Sequence, residues 1–270
     1  MSLSDAKIAT TIPGLGFIQH YGKNLLANIL RVGPVPQHVA FIMDGNRRFA
    51  KQNHQETREG HNAGFQSLSH ILELCYNTGI KVVTVYAFSI ENFNRTPYEV
   101  DSLMEITKTR LLQIIERGDL VDQYGISVRV LGNRKLLRPD IIEAIEKVTK
   151  MSENNTKAVL NVCFPYTSRD DITTSIKSIV SLVEKGDIDP SDIDQDLLES
   201  HMYFRETPPL DILVRTSGVE RFSDFMIWQA NDGTMIEFTP TLWPEFTPWK
   251  MFWILLKWGF QKQTNSDKDI

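Results

Sequence analysis

The 270-residue sequence holds only two cysteines, Cys75 and Cys163. Each sits in an apolar run, residues 72–76 and 159–165. That setting reads as buried, reduced thiols rather than a disulfide or a metal site, and so as a chain facing the cytosol. No apolar run reaches the length of a membrane span. The N-terminus lacks the basic, apolar and cleavage regions of a signal peptide. Basic excess is absent too: the formal net charge is -5. That excludes bulk binding of nucleic acid, which needs a cationic surface. Neither the Walker phosphate loop nor the dinucleotide glycine pattern occurs. There is no internal repeat, Gly/Ser linker or low-complexity block.

What is present suits one globular domain: 41% apolar and 23% charged residues. Residues 1–34 stand apart. Phe17, Ile18, Tyr21, Leu25, Leu26, Ile29 and Leu30 recur at helical spacing, with Lys23, Asn24 and Arg31 between them. This predicts an amphipathic helix that packs on its own domain or lies on a membrane surface. Gly33, Pro34 and Pro36 break it. A single catalytic domain is expected over 35–262, followed by a polar tail over 263–270.

Within the domain, strands are expected at Val39–Met43, Val82–Phe88, Ile126–Leu131, Ala158–Phe164, Asp211–Val214 and Met235–Phe238. Helices are expected over 60–76, from Thr96 to about Asp119, over 139–151, over 170–184 capped by Ser168, over 222–229 and from Pro248 to about Phe260. Apolar strands alternating with amphipathic helices predict an α/β fold: a mostly parallel sheet covered by helices on both faces. Ligands of such sheets bind beyond the carboxyl ends of the strands.

Three polar segments lie there. The first strand runs into Asp44, Gly45, Asn46, Arg47 and Arg48. A carboxylate at a strand end can hold Mg²⁺ together with water and phosphate oxygens. Gly45 allows close backbone approach, and Arg47 and Arg48 offer charge-assisted bonds to phosphate. Alone, the segment reads better as an Asp capping a helix with two solvated arginines. The second strand ends in residues 86–95, where Tyr86, Phe88 and Phe93 alternate with Ser89, Glu91, Asn92 and Arg95. A later strand ends in Arg215-Thr216-Ser217-Gly218, then Arg221-Phe222-Ser223-Asp224. Three such segments, each just past a strand, point to phosphate chemistry.

Residues 38–48, Gly60-His61, residues 86–95, Arg215 to Gly218, Arg221 to Asp224 and Trp243-Pro244-Glu245-Phe246 resemble, in order and spacing, the blocks of the cis-prenyltransferases. That is the family of undecaprenyl and dehydrodolichyl diphosphate synthases, and the resemblance covers about residues 36–260. Arg47 and the Phe88–Phe93 wording resemble its eukaryotic branch, and Leu255 to Trp258 its fungal members. The resemblance implies condensation of isopentenyl diphosphate onto an allylic diphosphate, farnesyl diphosphate in particular. The product implied is long-chain dehydrodolichyl diphosphate for dolichol and protein glycosylation.

The resemblance also implies roles. Asp44 matches the Mg²⁺ aspartate. Gly45, Asn46, Arg47, Arg48 and Phe49 match the allylic diphosphate site, with His61 as its helper. Asn92 matches a catalytic residue near the proton lost from isopentenyl diphosphate, with Phe88, Ser89, Glu91, Phe93 and Arg95 as neighbours. Arg215, Arg221 and Ser223 match the isopentenyl diphosphate site. An apolar pocket for the prenyl chain is implied, and the Phe65 and Leu103 helix faces could line it or be ordinary core.

Three departures stand out. Thr57 occupies the place of a family Arg, and Arg58 is expected to substitute. A family Glu falls at about Thr234. The C-terminal Arg-x-Gly motif has no counterpart. The last departure implies a hetero-oligomer in which a Nogo-B-receptor-like subunit supplies the motif. Trp243, Phe246, Trp249, Phe252 and Trp253 would form its interface or the core. The expected site of action is the cytosolic face of the endoplasmic reticulum membrane, with peripheral contact. Two other readings are a non-catalytic partner subunit, which should lack Asp44 and the Arg pairs, and a generic nucleotide-binding protein, which should carry a phosphate loop.

Overall fold

The computed structural model describes residues 25–116, 119–231 and 233–266. Six strands form one sheet: β1 His38–Ile42, β2 Val82–Tyr86, β3 Ile126–Leu131, β4 Ala158–Cys163, β5 Ile212–Arg215 and β6 Met235–Phe238. All neighbours pair in parallel, in the order β3-β4-β2-β1-β5-β6. Every residue of β1 is buried, as a central strand with both faces covered requires. Its side chains divide between two cores. Val39 and Phe41 join one, Ala40 and Ile42 the other.

The larger core packs under α3 (Thr57–Thr78), α4 (Pro97–Glu116), α6 (Pro139–Ser152) and α9 (Pro248–Ser266). The smaller is closed by Tyr166, Phe204, Phe225 and Met226, on the side of α7 (Ser168–Lys185) and α8 (Gln195–Ser200). The short helices α1 (25–30), α2 (Asn46–Gln52) and α5 (Asp119–Tyr124) complete the α-helices among the described residues.

Two expected elements differ. Residues 222–229 form turns instead of a helix, because Ser223, Asp224 and Met226 have φ of 49°, 58° and 48°, which a right-handed helix cannot contain. The last helix continues past Phe260 to Ser266, since Gln261, Lys262 and Gln263 are good helix formers with no Gly or Pro to stop them. The cap of α7 is Thr167, whose hydroxyl accepts from the Asp170 N–H, rather than Ser168.

Of the N-terminal amphipathic stripe, Phe17, Ile18 and Tyr21 lie outside the described residues. Leu30 is buried and Leu26 packs beside it on the larger core, so the inner face docks on its own domain. Leu25, Ile29 and Val32 remain exposed. Cys75 and Cys163 are buried and free, and burial pushes the Cys75 thiol up to about 12. Among the described residues no helix is long and apolar enough to cross a membrane.

Candidate active site

The three polar segments follow β2, β1 and β5, which are consecutive in the sheet. Parallel pairing therefore places them side by side along one edge. They surround a cavity of about 750 Å³. Six arginines past the strand ends, Arg47, Arg48, Arg95, Arg169, Arg215 and Arg221, line its mouth against three carboxylates, Asp44, Glu91 and Asp224, and a seventh, Arg110, lines it from α4 beside Phe65. Its interior is apolar: Phe65 and Leu68 from α3, Leu103 and Ile106 from α4, and Val85, Leu160 and Val162 from the sheet. The two helix faces thus line a chamber.

Asp44 stands at the centre. Arg215 Nη2 donates to Asp44 Oδ2 at 2.9 Å, and Arg48 approaches the same oxygen at 3.9 Å. Partial burial pushes the Asp44 carboxyl up, but hydrogen bonds, that from Arg215 first, outweigh it and hold it below its ordinary value. Asp44 is therefore ionised at neutral pH. The Asp44 carbonyl accepts from the Thr216 hydroxyl at 2.6 Å and from the Trp243 N–H at 3.0 Å. The loop is fixed from two sides.

Gly45 has φ 112°, and an added Cβ would meet Leu242 at 3.0 Å. A side chain there would be strained twice. Gly60 serves a different purpose. A Cβ on it would lie 2.3 Å from the Asn46 carbonyl oxygen, so its absence lets α3 press against α2. This brings His61 into the cavity wall. Burial, then Arg47 and Arg95, push the His61 imidazole down, which keeps it neutral beside two cations.

Arg215 is 3% exposed. Its Nη1 donates to Ser223 Oγ at 2.7 Å and to the Arg221 carbonyl. Arg48 Nη1 donates to the Ser217 carbonyl at 3.0 Å. The segments after β1 and β5 are thereby joined. Asn92 Oδ1 accepts from the Ser89 N–H at 3.1 Å and Ser89 Oγ from the Glu91 N–H at 3.2 Å. These bonds make a capping box of the short 3₁₀ helix 90–94.

Asp44, Gly45, Asn46, Arg47, Arg48, His61, Phe88, Ser89, Glu91, Asn92, Arg95, Arg215, Arg221 and Ser223 all line the cavity. Phe49, Arg58 and Phe93 are not among its lining residues. Arg58 is exposed on the first turn of α3, and Phe93 packs edge-on against Phe88 at 5.1 Å between centroids. Thr234 lies just before β6, at the opposite edge of the sheet, where its hydroxyl donates to the Leu210 carbonyl at 2.7 Å.

Sequence reading missed Arg169 and Arg110, and gave Asp224 no role although it lies in the Arg221 to Asp224 segment. Arg169 follows β4 on the first turn of α7, where an Arg beside a helix cap carries no local signature. Arg110 lies over the Phe65 ring at 4.6 Å, and its α4 position carries no local signature.

The sequence pattern described as "Putative undecaprenyl diphosphate synthase" matches residues 42–265. A "Dehydrodolichyl diphosphate synthase complex subunit" of Schizosaccharomyces pombe is 51% identical over 241 residues, 89% of this chain and 91% of that protein. The human protein of that description is 46% identical over 231 residues, 86% of this chain and 69% of its own length. The crystal structure of lavandulyl diphosphate synthase from Lavandula x intermedia, in complex with dimethylallyl diphosphate, superposes with a TM-score of 0.79 at 33% identity, covering 83% of this chain and 95% of that one. By sequence and by fold, this chain is a prenyltransferase and belongs to the cis-prenyltransferase family of undecaprenyl diphosphate synthase.

Proposed function

We propose that this chain condenses isopentenyl diphosphate units onto an allylic diphosphate, with farnesyl diphosphate as primer, to build long-chain dehydrodolichyl diphosphate for dolichol. The observation that carries this is one cavity with an arginine-rich mouth and an apolar interior. Both substrates have that polarity, an anionic head on a hydrocarbon chain. The names of the two relatives support the dehydrodolichyl product.

Breaking the allylic C–O bond loads negative charge on the departing diphosphate. Arginines already in place stabilise that charge as it develops, without reorganisation. On this reading Arg47, Arg48 and Arg95 with neutral His61 receive the allylic diphosphate, and Arg215, Arg221 and Ser223 receive the isopentenyl diphosphate. Asn92 is a neutral amide whose Oδ1 already accepts from Ser89. Its part is to orient the isopentenyl unit, and the proton goes to the stronger base, the diphosphate. The apolar walls shield the cationic allyl carbon from water.

Among the described residues no three His, Cys, Asp or Glu side chains cluster. Asp44 alone fits a cation whose other ligands are water and diphosphate oxygens, which is how Mg²⁺ is commonly held. Bound at Asp44, Mg²⁺ would add Lewis-acid stabilisation of the leaving group.

The chain works, on this proposal, as the catalytic half of a hetero-oligomer whose Nogo-B-receptor-like partner supplies Arg-x-Gly. The relatives are named complex subunits. The cations of α9 are Lys250, Lys257 and Lys262, with no arginine among them. Ile176 and Val180, one turn apart on α7, are exposed and suit contact with a partner. Of the C-terminal aromatics, Trp243, Phe246 and Phe252 are core, whereas Trp249 and Trp253 are exposed. Exposed Leu25, Ile29 and Val32 suit weak peripheral contact with the cytosolic face of the endoplasmic reticulum. Co-purification from native membranes tests the assembly. Prenyl transfer that rises when the recovered partner is added back supports it, and full activity of the chain alone with no response to the partner overturns it.

A further inference from the structure

Arg169 opens α7 and lines the cavity, and none of the sequence segments quoted above includes it. Its Nη2 donates to Glu91 Oε1 at 2.9 Å and its Nε to Asp224 Oδ2 at 2.7 Å. Its backbone N–H adds a bond to Asp224 Oδ1 at 3.2 Å, and the Ser168 N–H donates to the Asp224 carbonyl at 2.8 Å. One guanidinium therefore holds two carboxylates from two loops. Glu91 precedes Asn92, and its other oxygen accepts from Asn94 Nδ2 at 3.1 Å. Asp224 follows Ser223, which is bonded to Arg215. A continuous line of bonds thus runs from the loop after β2, through Arg169, to Arg215 and Asp44.

Arg169 is 72% exposed. Its pair with Glu91, itself 55% exposed, contributes little to global stability, whereas Asp224 is 11% exposed and keeps the backbone N–H of residue 169 as a donor when the side chain is removed. The planar fork of Arg169 nonetheless fixes direction as well as distance, which a single ammonium does not. Two substrates that react at van der Waals range are sensitive to small displacements of the loops that hold them.

We propose that Arg169 is a positioning residue that sets the spacing between the loop carrying Asn92 and the turn carrying Ser223, and so aligns the two prenyl substrates for bond formation. This rests on the function proposed above. The expected signature is a loss in kcat with substrate binding intact.

The experiment compares wild type, Arg169→Ala, Arg169→Lys, Asp224→Asn and the combination of Arg169→Ala with Asp224→Asn in the assembled enzyme with Mg²⁺. Steady-state prenyl transfer is measured, together with equilibrium binding of each diphosphate substrate and the melting temperature. For Arg169→Ala, kcat should fall by about tenfold to a hundredfold, the order expected for misaligned reactants, with binding of each substrate and the melting temperature close to wild type. Arg169→Lys should recover only part of the loss. Asp224→Asn combined with Arg169→Ala should be no worse than the poorer single variant, because both break one link. Weaker binding of one diphosphate at unchanged kcat would make Arg169 a direct ligand and overturn the proposal, as would unchanged kcat in both Arg169 variants. If Arg169→Ala melts far below wild type, Arg169→Lys decides: full activity there overturns the proposal. An inactive wild type would overturn the proposed function and this inference with it, whereas an active wild type with indifferent Arg169 variants overturns this inference alone.

Discussion

The Asp44 carboxylate accepts a hydrogen bond at 2.9 Å from Arg215, a guanidinium only 3% exposed. A carboxylate that reads from the sequence as a free group at a strand end thus neutralises a buried cation. Its removal has two effects that different substitutions separate. Asp44→Asn keeps an oxygen for Arg215 and should hold the melting temperature near wild type while prenyl transfer is lost. Asp44→Ala leaves a buried donor unsatisfied and should lose about 1–3 kcal/mol of stability as well. Chemical denaturation beside a prenyl-transfer assay checks both, and an Asp44→Asn protein with normal turnover would remove Asp44 from the chemistry.

Arg221→Ala should chiefly raise the KM for isopentenyl diphosphate. The loss of one charge-assisted phosphate bond, about 1.5–3 kcal/mol, corresponds to roughly a tenfold to hundredfold rise. A change confined to the allylic substrate would show that the two diphosphate sites are assigned the wrong way round.

His61 should titrate below 6.5 in the free protein, because burial and the neighbouring Arg47 and Arg95 disfavour its cation. Adding inorganic diphosphate offsets those arginines and should move the midpoint upward. An NMR titration of the imidazole with and without diphosphate reads both. A midpoint already above 6.5 without ligand would contradict the close approach of the three side chains.

Gly60→Ala should be disabling beyond its size. The new methyl would lie 2.3 Å from the Asn46 carbonyl oxygen, so α3 must move off α2 and carry His61 with it. Overpacking of this kind costs about 1–3 kcal/mol. Denaturant melts together with the KM for the allylic substrate report it, and an unaltered pair of values would mean that α2 and α3 do not press together in solution.

Two buried groups give opposing pH dependences. Burial pushes His38 down to about 4 and Asp171 up to about 6. As pH falls from about 6.5 to 4 the unfolded chain takes up the His38 proton first, so that group's stability is lost toward acid. As pH rises from about 4 to 6 the folded chain must give up an Asp171 proton that the unfolded chain has already released, so stability is lost toward neutral. Each effect is about 3 kcal/mol from shifts of this size, and they largely cancel. Asp171→Asn removes one of them. Urea melts at pH 4 and pH 7 should show the variant gaining on wild type toward pH 7, and a constant difference would contradict the buried carboxylate.

The strands were legible because buried strands leave largely apolar runs, such as the continuous run 39–43 and the run 82–86 that only Thr84 interrupts. The site was legible in three pieces because each piece is local: Asp44 to Arg48, Ser89 to Arg95, and Arg215 to Ser223. Their convergence was not, since it depends on β1 lying between β2 and β5, a fact of strand order that local spacing does not encode. Arg169 stayed hidden for a related reason. Its partners Glu91 and Asp224 are 78 and 55 positions away in the chain, and α7 looks like any capped helix. The turns at 222–229 were misjudged because left-handed backbone at Ser223, Asp224 and Met226 comes from the bonds that seat this segment on α7. Ser223, Asp224 and Met226 do not advertise it.

The central claim is that the arginine-lined mouth and apolar chamber carry out successive prenyl transfer. Its most direct test is incubation of the assembled protein with radiolabelled isopentenyl diphosphate, farnesyl diphosphate and Mg²⁺, with solvent-extracted products resolved by chain length. Label should appear in long polyprenyl diphosphates with wild type and be absent with Asp44→Asn. Wild-type protein that incorporates no label in the presence of its partner would contradict the account.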